Sequence, residues 1–188
     1  MKEKKDLRII KTQNTIYNAL ITLLKTKTFE EIKVSDICNE ALINRSTFYD
    51  HYTDKYELLM DLIDKQKARF ELALSENEHI INTKNYYIEL IKIILNEIEE
   101  EKNLYFKVLI NNQNSILMDI IMEVVTKDIE KRVKNNIQNS IPSEIITKFY
   151  VGAVVNVGIE WLKNSKKYSK DELLKYIEKL IPDNIENI

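Results

Sequence analysis

Asn44, Arg45, Ser46, Thr47, Tyr49, His51 and Lys55 crowd an amide, a guanidinium, two short hydroxyls, a phenol, an imidazole and an ammonium into one short stretch. Groups of this kind hydrogen-bond to base edges in a DNA groove and grip phosphates. Arg45 can pair bidentately with guanine or hold a phosphate. Ser46 and Thr47 are short enough to approach base edges, and the Thr47 methyl suits a thymine. Tyr49, His51 and Lys55 fit phosphate contacts, and Lys33 and Ser35 stand just upstream as further candidates. Asp50 is out of place beside DNA and reads as a side chain turned to solvent.

Other chemistry finds little footing. The two histidines, His51 and His79, are not paired at the spacing a metal site needs. Two glycines in the whole chain are too few for a phosphate-cradling loop, and no nucleophile elbow is present. Cys38, the one cysteine, has apolar neighbours at helical spacing, so it reads as core rather than as a reactive thiol. No metal, cofactor or catalytic residue is expected, and the chain does not read as an enzyme.

The polar set needs elements to hold it. Val34, Ile37, Cys38 and Ala41 recur every three to four residues and share one helical face. Leu42-Ile43-Asn44 is short enough only for a turn, and Asn44 is a good N-cap whose side chain can accept from the Thr47 amide. Phe48 and Tyr52, four apart on the second helix, face the core and leave the polar residues outward. Asp54 and Glu57 then read as a capping box opening a third helix. A short polar helix held by two aromatic anchors behind a tight turn is the plan of a helix-turn-helix DNA reader.

The stretch SDICNEALINRSTFYDHYTDKYELL resembles the DNA-binding signature of the TetR/AcrR family of bacterial transcription regulators. Arg45, Thr47, Phe48, Tyr49, His51, Tyr52 and Lys55 match the family's recognition helix and the start of the helix after it, and the resemblance runs from about Leu7 to Leu62. Two positions depart from the pattern. Leu42 stands where the family usually has Gly; if the backbone there is left-handed, Leu is strained by about 1 kcal/mol or more. Lys33 stands where the family usually has a capping Thr or Ser; it cannot cap with its side chain but can reach a phosphate.

The rest of the chain reads as helices. Of 188 residues, 44% are hydrophobic, enough for a sizeable core, and two Gly with two Pro are too few for the turns of a β-protein. Asp6 to about Lys25 forms a first helix with Ile9, Ile16, Ala19, Leu20, Leu23 and Leu24 as its stripe; Lys2, Lys4, Lys5 and Arg8 before and within it read first as a solvated tail, and the resemblance offers the alternative of an arm touching phosphates. Further helices follow: Asp54 to about Ser75; Tyr86–Glu101 after a polar loop over 75–85; a short apolar one over Leu104–Ile110; Ile116 to about Asn136 after an amide-rich break at 111–114; one opened by Pro142 and running to Asn164; and one capped by Ser169 and ending before Pro182. Gly152, Ala153 and Gly158 inside a bulky apolar helix suggest close approach of another helix. The helices after Phe149 resemble the end of a TetR-family subgroup common in Firmicutes, in which the last two helices pair with their symmetry mates.

The expected fold is therefore all-α: a helix-turn-helix DNA-binding domain over residues 1–55 and a helical effector-binding and dimerisation domain over 56–188. Residues 1–55 hold ten Lys or Arg against eight Asp or Glu, about +2, whereas the whole chain is −2. Phe70, Tyr87, Phe106, Met118, Met122, Phe149 and Tyr150 are candidates for an effector pocket, although helical spacing alone makes each an ordinary core residue. Val154, Val157, Trp161, Leu173 and Ile177 are candidates for a homodimer interface. No apolar run approaches the roughly 20 residues of a membrane span, and the charged start lacks a signal-peptide core, so a cytoplasmic, reduced setting is expected. The resemblance implies a homodimeric regulator of double-stranded operator DNA, a repressor released by a small-molecule effector. The alternatives are a related activator or partner-binding regulator without an effector, and a helical enzyme or binding protein with a coincidental motif.

Overall fold

The computed structural model describes residues 7–75, 83–100, 108, 110–134, 141–164 and 167–183. The helices are α1 (Leu7–Leu24), α2 (Val34–Glu40), α3 (Arg45–Tyr49), α4 (Lys55–Ser75), α5 (Thr83–Glu100), α6 (Ile116–Lys134), α7 (Ser143–Lys163) and α8 (Lys170–Leu180). Among the described residues there is no strand. Seven of these helices start within a residue or two of where apolar spacing and caps predict. The exception is α5, which opens at Thr83, so Thr83 to Asn85 are helix and not loop. His79, Phe106, Lys2, Lys4, Lys5 and most of the expected helix over 104–110 lie outside the described residues.

Two apolar cores organise the chain. The first gathers Ile16 and Leu20 of α1, Phe29 and Ile32 of the following turn, Ile37 and Cys38 of α2, Phe48 of α3, and Tyr52 just after it. Burying a side chain the size of Phe29 or Phe48 in full is worth about 1.5–3 kcal/mol. Ile9 does not join them; it is exposed, and the buried stripe of α1 begins at Ile16. Leu58 and Leu59 of α4 sit in this core, past the expected boundary at residue 55, and Leu117 of α6 closes it from the other half.

The second core joins Leu95 of α5, Ile146 of α7, and Leu173, Ile177 and Ile181 of α8 and its end. α6 packs along α7, α5 against α8, and α4 against α5. Ser169 caps α8 through the Glu172 amide, and Glu172 returns to the Ser169 N–H at 2.8 Å. α7 alters one expectation: by length and composition it is apolar enough to cross a membrane. In the fold it packs along α6, with Ile146, Val151 and Leu162 buried.

Candidate functional site

The polar set is positioned by the end of α2. Leu42 has φ 54°, its N–H donates to the Asn39 carbonyl, and the Ile43 N–H donates to the Cys38 carbonyl. This pair of bonds is a Schellman closure with leucine at the left-handed position where glycine is preferred. At the other end of α2, Lys33 makes no side-chain cap, as its chemistry requires; the Asp36 carboxylate instead accepts the Lys33 N–H at 3.1 Å. That backbone hydrogen bond, with Lys27 beside it, holds the Asp36 carboxyl below its ordinary range.

α3 is pinned by Phe48, fully buried, and by Tyr52 just after it. The Tyr52 hydroxyl donates to Asp61 Oδ2 at 2.9 Å and lies 2.8 Å from the Tyr17 hydroxyl, which donates to the same carboxylate; Lys65 completes the group. Burial and the Asp61 carboxylate push Tyr17 up to about 12 and Tyr52 higher still. Burial alone would raise Asp61, but the two phenols and the Lys65 ammonium outweigh it and hold the carboxyl low.

With the anchors inside, Asn44, Arg45, Ser46, Tyr49 and Asp50 are exposed, and Thr47 and His51 are half-buried. Lys33 is exposed on the same motif and Ser35 is half-buried. Two side chains differ from expectation. Asn44 has the extended backbone of an N-cap, yet its side chain caps nothing and turns outward. Lys55, expected at a phosphate, points into the protein. Its Nζ donates to the carbonyls of Phe29 (2.8 Å), Glu30 (3.1 Å) and Ile32 (2.7 Å), which uses all three of its protons. Burial lowers its pKa. Behind it, Asp54 caps α4 through the Tyr56 and Glu57 amides, while Glu57 turns back to the Thr53 N–H instead of closing the expected box on Asp54.

The turn between α1 and α2 is also gripped from the other half of the chain. Asn112 is buried; its Oδ1 accepts the Phe29 N–H at 2.9 Å, and its Nδ2 donates to the carbonyls of Leu24 (3.2 Å) and Val108 (2.9 Å). Asn111 adds a bond to the Lys25 carbonyl. Glu30 returns the contact by capping α6, accepting the Ile116 N–H at 2.6 Å, and this bond holds its carboxyl low. The amide cluster expected only as a break is thus a tie between the motif and α6.

α6 also forms one wall of a half-open cavity of about 250 Å³ shared with α5, α7 and α8. Of the candidate pocket residues, Tyr87, Met118, Met122 and Tyr150 line it; Phe70 does not, and Phe149 is 68% exposed on the outside of α7. Among the described residues, none that lines it is charged. α7 contributes more of the wall than any other helix, most of it aliphatic, and sequence spacing cannot separate a cavity wall from packed core. Thr147 was missed: it lines the cavity, is 1% exposed, and its hydroxyl meets no partner, an arrangement that costs about 1–3 kcal/mol.

The candidate interface residues divide. Leu173 and Ile177 are buried within the subunit, so neither offers an outer surface, and Val154, half-buried, lines the cavity. Val157 is exposed, and Trp161 is half-buried with its Nε1–H on the Tyr168 carbonyl at 2.9 Å. The outward apolar side chains of α7 are Ile145, Phe149 and Val157, joined on α8 by Tyr176 and Leu180. A Cβ added at Gly152, beside Phe149, would meet nothing within 4 Å.

Comparison with known proteins completes the description. The family model TetR_C_8, a transcriptional regulator C-terminal region, matches residues 85–183. Over 83 residues, 41% of the chain, the sequence is 37% identical to YxbF, an uncharacterized HTH-type transcriptional regulator of Bacillus subtilis (strain 168). Over 103 residues, 55% of the chain, it is 28% identical to DhaS, the HTH-type dhaKLM operon transcriptional activator of Lactococcus lactis subsp. lactis (strain IL1403). These matches span 22% and 51% of the two relatives' own lengths. The fold is similar to that of a TetR transcriptional regulator from Streptococcus agalactiae 2603V, with a TM-score of 0.66 and 24% identity, covering 93% of this chain and 95% of that one.

Proposed function

The chain belongs to the TetR family of transcriptional regulators, and from that premise we propose that it is a homodimeric operator-binding repressor released by a small molecule. The observation that carries the reading is α3, a short polar helix pinned by Phe48 and Tyr52 with Asn44, Arg45, Ser46 and Tyr49 turned outward. In this reading Arg45 reads guanine or grips a phosphate, Ser46 and Thr47 meet base edges, and Tyr49, His51, Lys33, Ser35 and Asn44 hold the backbone. Lys55 serves the reader indirectly, by fixing the turn that carries Lys33.

The reader comprises residues 1–55 with the first turn of α4, and the remainder binds effector and partner. Two readers on a C2 dimer meet half-sites about 34 Å apart on a near-palindromic operator. The cavity between α5, α6, α7 and α8 is the effector site, and the molecule acts in the cytoplasm by binding, without catalysis. An effector shifts operator affinity only through its different affinities for the two reader arrangements.

The test is retention of DNA upstream of the gene and its neighbours by the purified protein across a salt series. Sequence-selective binding with a steep salt slope is expected, and Arg45→Ala should weaken it by about 1–3 kcal/mol. Weak binding without sequence preference, indifferent to Arg45→Ala, would overturn the reading. A second reading, activation, is favoured by the likeness to DhaS, an operon activator. Deleting the gene separates the two: target transcripts rise for a repressor and fall for an activator.

A further inference from the structure

From the cavity wall we infer that the effector is an uncharged, mainly aliphatic molecule of roughly ten non-hydrogen atoms, carrying one hydrogen-bonding oxygen that seats on Thr147. The size follows by proportion from benzene, which occupies an apolar cavity of about 150 Å³; here the volume is about 250 Å³. The charge follows from the wall: among the described residues, α5, α6, α7 and α8 contribute aliphatic and aromatic side chains and no ionisable acid or base of the Asp, Glu, Lys, Arg or His type. A carboxylate or phosphate would enter with no counter-charge, and a lone ion is expelled from such a space.

The single oxygen follows from Thr147. Its side chain is part of the wall, it is 1% exposed, and its hydroxyl is buried with no hydrogen-bond partner. A helical threonine ordinarily returns its hydroxyl to the carbonyl four residues back, as Thr12 and Thr15 do here at 2.9 and 3.0 Å. Thr147 does not, so its donor and acceptor stay unused in a wall otherwise made of aliphatic side chains, two methionines and the rings of Tyr87 and Tyr150. An alcohol, ketone or ester oxygen satisfies it. Gly158 widens the same wall, since a Cβ there would meet nothing within 4 Å.

This inference rests on the reading that the cavity holds the effector, and the experiment separates the two. Full-length protein is titrated with nonanol and, in parallel, with octanoate, a molecule of the same size that bears a charge at neutral pH. Binding is read by thermal shift, and operator retention is read in the same samples. Nonanol should stabilise the protein and octanoate should not. Thr147→Val, isosteric and fully apolar, should fold at least as stably and bind nonanol about threefold to tenfold more weakly. Equal binding of octanoate, or undiminished binding of nonanol by the valine variant, would overturn the inference. So would absence of any nonanol shift while operator binding is intact, which leaves the regulator reading standing. Nonanol binding that leaves operator retention unchanged supports the ligand class and overturns the effector role.

Discussion

Leu42 carries a left-handed backbone, φ 54°, at the closure of α2, and its side chain is 91% exposed. It gains no burial to offset the strain, so Leu42→Gly should stabilise the chain by about 1 kcal/mol, read as a higher denaturant midpoint at unchanged slope. This strain was legible in the sequence because the family that the motif resembles usually carries glycine at that position. The role of Lys55 was not: its three carbonyl partners lie more than twenty positions upstream, and no local spacing reports that they come within reach. The same holds for Asp61, whose phenol partners come from α1 and the end of the motif. Its folded pKa is depressed, so its contribution is present above the unfolded carboxylate value, near 4, and is lost as pH falls through the folded value. Stability should therefore be insensitive to Asp61 between pH 5 and 7, roughly, and fall below about pH 4. Asp61→Asn should flatten that acid limb; an equally steep limb in the variant would remove Asp61 from the account.

At the scale of elements, apolar periodicity and caps located the helices because each buries one stripe. The start of α5 escaped, since Thr83, Lys84 and Asn85 are polar and carry no stripe of their own. The amides at 111–114 were legible as a break, because they compete for backbone bonds, but their target across the fold was not. That target gives the break a mechanical meaning. Asn112 fastens the α1–α2 turn to the head of α6, and α6 is a wall of the cavity. Asn112→Ala strands the Phe29 N–H and the Leu24 carbonyl in a buried place, so it should cost about 2 kcal/mol or more by chemical denaturation. It should also reduce the effect of any effector on operator affinity while leaving effector affinity itself within a few-fold. A variant with full stability, or with undiminished coupling, would show that the tie is dispensable.

For the whole molecule, the all-α class followed from scarce glycine and proline, and the DNA reader from one motif. The assignment of faces did not follow. Phe149 and Leu173 have the same helical credentials in sequence, yet one is 68% exposed and the other is buried, because only the neighbouring helices decide which side of α7 or α8 is inner. The outward stripe of Ile145, Phe149 and Val157, with the open space at Gly152, is the surface on which the proposed dimer should close. Phe149→Asp should raise the dimer dissociation constant on the order of thirtyfold, about 2 kcal/mol, by sedimentation, and weaken operator binding with it. A fully dimeric Phe149→Asp protein would move the interface elsewhere.

Trp161 is the one tryptophan in the chain, and it is packed against the second core with its indole N–H tied to the Tyr168 carbonyl. The aromatic residues of the first core are tyrosine and phenylalanine. The molecule thus carries its own optical label at one end. Red-edge emission follows the half that holds the cavity, whereas circular dichroism follows every helix at once. In the native chain the two signals should melt together; with the Asn112 tie cut, the emission curve should part from the dichroism curve, and the gap between them measures how strongly the reader leans on the rest.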